Sequence, residues 1–240
     1  RVSFSRPGSL MHAVGPYSYN ADNLFSVQLG TEIHSHSPIV SYSSGATVVK
    51  VTPNGNVFAL SYGLRPYTGS DESEMYENLG TELGLHYQKD FYSSSNSTLT
   101  YGIHDLIVTD NVVQIDDVSF FLKYSNVRPI SDYTLYTIFG VGLGKLAYDP
   151  HAPNLSEADA NTAGIFAALQ LNTPFLHKYG GLNVITEFIH AGINCGLTIP
   201  LGRDYNLALG VTHIENISDF GAQSNWTADD DVLGHKAPGI

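Results

Sequence analysis

Three observations predict that the chain is all-β, folded as a single antiparallel up-and-down transmembrane β-barrel of about 12 strands. The first is the stretch at residues 133–148, YTLYTIFGVGLGKLAY, which alternates strictly. As a strand it puts Tyr133, Leu135, Thr137, Phe139, Val141 and Leu143 on one face, and Thr134, Tyr136, Ile138, Gly140, Gly142 and Gly144 on the other. A soluble sheet sets polar residues against its greasy face, whereas a membrane barrel strand shows apolar residues to lipid and small or polar ones to its lumen. The second is composition: charged residues make up 14% of the chain, against about 25% in an average soluble domain. The third is that the same alternation recurs along the chain between turn signals, the sharpest being Asn54-Gly55.

Taken in order, residues 1–22 carry no sustained period and form an N-terminal arm, and residues 23–240 form the barrel, with its final strand cut short. Strand one shows Phe25, Val27, Leu29, Thr31 and Ile33 on one side and Ser26, Gln28, Gly30 and Glu32 on the other. Residues 46–51 and 57–65 form a hairpin around Asn54-Gly55, with Phe58, Leu60, Tyr62 and Leu64 outward. Residues 78–88 split into Leu79, Thr81, Leu83, Leu85 and Tyr87 against Gly80, Glu82, Gly84, His86 and Gln88. Here Leu83→Arg is expected to impair insertion and Gly84→Ser to be tolerated. Residues 97–108 place Leu99, Tyr101, Ile103 and Ile107 outward, and residues 117–125 place Val118, Phe120, Leu122 and Tyr124 there. After the strand at 133 come 162–172, 182–189, 192–200 and 205–214, which makes eleven strands, with residues 237–240 as the start of a twelfth.

Charge segregates with face. Asp105 is the one charge well inside an outward row, and Lys145 sits near a strand end where it can snorkel. The lumen-lining set is Glu32, Lys50, Arg65, Glu82, His86, Lys123 and Glu187. In a narrow barrel such groups pair with one another and fill the interior. The inward glycines Gly140, Gly142 and Gly144 either admit the arm or let the wall bend. The longest connections, residues 66–77, 149–161 and 215–236, fall on the side of the first loop together with the acidic clusters, as the long loops of bacterial barrels do.

The net charge of −12 and the absence of a Lys/Arg cluster exclude nucleic acid as a partner. No apolar run reaches the roughly 18 residues of a membrane helix. The lone Cys195 cannot form an internal disulfide and is a small buried or lipid-facing hydrophobe. His34-Ser35-His36-Ser37 lies in a loop beside Pro38, which fits neither a zinc site nor a serine hydrolase, and no metal or catalytic residue is assigned. The acidic residues Asp110, Asp116, Asp117 and Asp229–Asp231 show no calcium-loop pattern, and no cofactor motif occurs.

The segment 184–213, with Glu187, Asn194 and Gly196 flanking a tight hairpin followed by PLGRDYNLALGV, resembles the closing hairpins of bacterial outer-membrane β-barrel proteins. The likeness in layout covers residues 23–214. The resemblance implies a bacterial outer-membrane location, the lipid bilayer as environment, a surface or periplasmic protein as candidate partner, and a non-enzymatic role as narrow pore or membrane-embedded scaffold. The competing expectations are a soluble secreted β-protein that binds a ligand or assembles through exposed strand edges, and an outer-membrane hydrolase.

Overall fold

The computed structural model describes residues 25–35, 40–54, 56–64, 81–109, 112–114, 119–143, 164–189, 192–202, 205–212, 214–219 and 239–240. The arm at residues 1–22, Arg65, Lys145 and the acidic loop clusters lie outside them. The strands are β1 (Phe25–Ser35), β2 (Val40–Val51), β3 (Asn56–Leu64), β4 (Thr81–Ser93), β5 (Ser97–Thr109), β6 (Val112–Gln114), β7 (Ser119–Ile130), β8 (Tyr133–Leu143), β9 (Gly164–Asn172), β10 (Asn183–Ile189), β11 (Gly192–Pro200) and β12 (Asn206–Val211). They form one antiparallel sheet in sequence order, with the short β6 off the path and paired back onto β5. The eleven strands on the path match the eleven expected. Among the described residues the sheet is open: β1 pairs with β2 and β12 with β11, so the expected closure into a barrel is not made between β1 and β12.

Some strands, β2, β4 and β7 among them, are longer than their sequence pattern indicates. The first loop shrinks to residues 36–39, because β2 begins at Val40 in a Ser-rich stretch whose hydrophobic period is weak. β7 runs on through Arg128 and Pro129 to a two-residue turn, in which Ser131 takes the left-handed conformation with φ 53°. Pro129 is tolerated because it lies beside that turn, where one missing ladder donor costs least.

Directly opposed residues in an antiparallel pair share a face, so face assignments propagate from strand to strand. One row runs Leu99, Tyr124, Phe139, Ala167, Phe188, Ile193, and a second runs Tyr101, Leu122, Val141, Ile165. On the other half of the sheet, Val27, Val48, Leu60 and Leu85 continue this face. It is apolar and faces outward: Leu29 is 79% exposed, Ile165 70% and Phe139 60%. The opposite face is buried and mixed, with a row of Thr98, Ser125, Ile138, Ala168, Glu187 and Asn194. The usual arrangement of a soluble protein is inverted here: large hydrophobic side chains lie outside while Lys123, Gln170, Glu187 and Asn194 are buried.

Register corrects two face assignments. A bulge in the β4–β5 ladder pairs Leu85 with Leu106 but Tyr87 with Ile103, so β5 carries an extra residue at positions 104–105. Beyond it Leu106 and Val108, rather than Ile107, stand opposite outward residues, while Ile107 stands opposite Gly84 of the buried face. The bulge thus absorbs Asp105, the one apparent exception to charge segregation. Lys50 is the second correction: its ladder partner is Phe58, so it belongs to the outward face and not to the lumen-lining set. It is the next-to-last residue of β2, where a lysine can extend its ammonium past the strand end.

Candidate functional site: the buried face of the sheet

Alternation along β4, β5, β7, β10 and β11 delivers every other side chain to the buried face, and the ladders decide which of them meet. Lys123 of β7 is 4% exposed, and its ladder partners are Thr100 and Gly140. The Thr100 hydroxyl donates to Asp90 Oδ1 at 2.6 Å, and the Asp90 carboxylate is the acid that acts electrostatically on Lys123.

Glu187 of β10 is 1% exposed and accepts a hydrogen bond from Asn194 Nδ2 at 3.1 Å across the hairpin to β11. Nearer the short-turn end, Gln170 Nε2 and Asn172 Nδ2 both donate to Asn183 Oδ1, at 2.9 and 3.0 Å. On the other half, the Ser61 hydroxyl and His86 Nε2 lie 2.9 Å apart. A serine beside a histidine is the pairing of an activated nucleophile, but Ser61 is buried at 2% exposure, so solvent does not reach its hydroxyl.

Apolar groups fill the space between these polar ones. Ile138, Phe166, Ala168 and Ile185 form a buried cluster with Phe121 packed against it, and Val49, Val51, Val57 and Ala59 form a second. Gly140 explains how Phe166 fits. A Cβ at Gly140 would lie inside the Phe166 ring, so the ring occupies the place of the missing side chain. Phe121 uses Gly102 in the same way, and the two rings meet edge to face at 6.3 Å. The glycine stripe of β8 is therefore a seat for an aromatic side chain of its own sheet at Gly140.

Of the lumen-lining residues predicted from sequence, Lys123, Glu187 and the half-buried His86 lie on this face, each with its own neighbours. Lys50 does not, for the reason given above. Glu32 and Glu82 hold ladder positions opposite Ser43 and Gly63, but their side chains, like all of Arg65, are outside the described residues. Sequence reasoning missed Asp90 because the β4 alternation was ended at Gln88. The strand runs on to Ser93, and Asp90 shares the parity of His86 and Gln88. Among the described residues no group of three or more His, Cys, Asp or Glu is placed to hold a metal ion, and the loop at His36–Ser37 is outside them. Cys195 is a free thiol on the outward face, 3.6 Å from the Thr186 hydroxyl.

At the short-turn end of the outward face four rings follow one another across β3, β4 and β5. Phe58 meets Tyr87 at 5.2 Å, Tyr87 meets Tyr101 at 6.5 Å, and Tyr101 meets Phe91 at 5.9 Å. Lys50 and Lys89 share this rim through their ladder partners Phe58 and Tyr101. No protein-family model, no curated protein and no solved structure matches the chain.

Proposed function

We propose that the protein is a non-enzymatic membrane β-barrel of a bacterial outer membrane, in which the sheet encloses its own buried face as a packed interior and serves as a membrane-embedded scaffold. The observation that carries this reading is the inversion of polarity. A contiguous apolar surface from Val27 to Leu209 is exposed while Lys123, Glu187, Asn194 and Gln170 are buried. In water that arrangement costs free energy on both faces, whereas in hydrocarbon the outer face is stabilised and the inner polar groups find each other. The ring row with Lys50 and Lys89 fits a headgroup-level belt, where aromatic and basic side chains collect. Most strands have 9 to 13 residues, and a tilted membrane strand takes about 9–11. The seating of Phe166 and Phe121 on glycines favours a scaffold over an open channel, because these rings occupy space through which solute would pass.

The only cysteine supplies a direct test. Cys195 lies on the outward face within β11, so in reconstituted vesicles it should react with a lipid-soluble maleimide and resist a charged, membrane-impermeant one. Rapid reaction with the charged reagent in intact vesicles, or a monodisperse protein in detergent-free buffer, would end the membrane reading.

A further inference from the structure

The outward face carries a groove of about 450 Å³ across β2, β3, β4 and β5. That volume falls in the roughly 300–1,000 Å³ range of small-molecule sites. Its shape follows from the ladders. Val48, Leu60 and Leu85 form one wall as a row of direct partners, and Lys50, Phe58, Tyr87 and Ile103 form the other. Ala59 and His86 stand between these rows and turn their side chains to the opposite face, so their backbone makes the floor. On β2, β3 and β4 the two rows are two residues apart, which is about 7 Å along a strand. The bulge changes this spacing on β5. Tyr87 pairs with Ile103 but Leu85 with Leu106, so the rows separate there by three residues, about 10 Å, and the groove widens.

The walls differ in character. Val48, Leu60 and Leu85 are exposed aliphatic side chains, and the facing wall is mainly aromatic. Its rings are held by their own contacts: the Tyr87 hydroxyl donates to Asn56 Oδ1 at 3.0 Å, and the Phe58 ring lies 5.2 Å from that of Tyr87. A wall fixed in this way loses little freedom when a hydrocarbon chain lies against it. Lys50 supplies the ammonium of the lining, at the short-turn rim, and Lys89 lies on the same face of β4 opposite Asn56. Asp90, the neighbouring acid, turns the other way, where its Oδ1 accepts from Thr100. Two cationic side chains thus share one rim of a protein whose net charge is −12.

We propose that this groove binds one anionic glycerophospholipid, with an acyl chain between the two rows and the phosphate at the rim beside Lys50 and Lys89. This rests on the barrel reading above and adds a ligand to its outer surface. The apolar rows accept any acyl chain. The lysines select the headgroup, because basic side chains at a membrane surface attract anionic lipid.

The test uses the full chain, reconstituted in vesicles of equal phosphatidylcholine and phosphatidylglycerol and re-extracted in a mild non-ionic detergent. Native mass spectrometry then counts the lipids retained per protein. One phosphatidylglycerol should be retained, enriched at least about fivefold over phosphatidylcholine, the ratio that one lysine at the headgroup level provides. Leu60→Trp fills the groove from an exposed position and should abolish retention, whereas Leu209→Trp, also exposed but on β12, should not. If Leu60→Trp fails to insert, Val48→Phe fills the same groove. Lys50→Gln/Lys89→Gln should erase the enrichment. Retention that survives the groove-filling variant, equal loss in Leu209→Trp, or enrichment that survives removal of both lysines would overturn the site. So would a parent chain that inserts and keeps no lipid. A parent chain that an alkaline carbonate wash strips from the vesicles would instead overturn the barrel reading.

Discussion

Gly140 shows most clearly how one residue carries the packing of this sheet. Its missing side chain is the space that Phe166 fills, so Gly140→Val should drive a branched side chain into the ring. The expected loss is about 1–3 kcal/mol of stability, as for other overpacked sites, read from the denaturant midpoint in detergent. Adding Phe166→Ala should recover part of that loss, and a purely additive double variant would show that the ring does not need the glycine. Gly84 is a second such place. A Cβ there would lie 2.5 Å from Ser61 Oγ and 3.1 Å from His86 Nε2. The tolerance of Gly84→Ser expected from sequence is therefore reversed: the substitution should break the Ser61–His86 hydrogen bond and cost on the order of 1 kcal/mol. A changed pH titration of the His86 ring by NMR would report it. For Lys123, replacement by Met should change stability by about 1 kcal/mol or less, read from the denaturant midpoint in detergent, because the exposed Asp90 carboxylate is not left buried when the ammonium is removed.

Among the elements, β4 is where the two faces differ most in consequence. Leu83 is exposed in the row of its ladder partners Tyr62 and Val108, and Leu83→Arg sets a charge on that surface, at an expected cost of about 2–4 kcal/mol if the strand sits at mid-bilayer. Lys50→Leu on β2 should leave vesicle insertion unchanged, because that lysine is at the strand end of the same apolar face. A heat-modifiable gel shift of the two variants distinguishes them, and equal behaviour would mean the outward face does not meet lipid. The β4–β5 bulge belongs to this scale too. It lets β5 carry Asp105 without disturbing the apolar rows on either side, by shifting the pairing of everything beyond it.

In the whole molecule, the connections alternate between the two ends of the sheet. Turns at Thr52–Asn56, Ser94–Ser97, Ser131–Asp132 and Leu201–Tyr205 lie at one end, while the strand ends Leu64 and Thr81, and Leu143 and Gly164, lie at the other. The outward rows were legible in the sequence, since Phe139, Val141 and Leu143 are exposed as the alternation of β8 requires. For the intact protein the expectation is detergent dependence: on detergent removal without lipid it should aggregate through its apolar surface, as sedimentation would show.

The sequence by itself determined which residues alternate, because the period of two is set within each strand by backbone geometry and needs no distant partner. It could not assign Lys50, since Thr47–Val51 carries valines on both parities and only the pairing with Phe58 chooses between them. It could not place Asp90 beside Lys123, seat Phe166 over Gly140, or bring Gly239 to Thr212, because each contact joins residues on different strands. Those meetings depend on register, bulges and the curvature of the assembled sheet, which exist only once distant segments have paired.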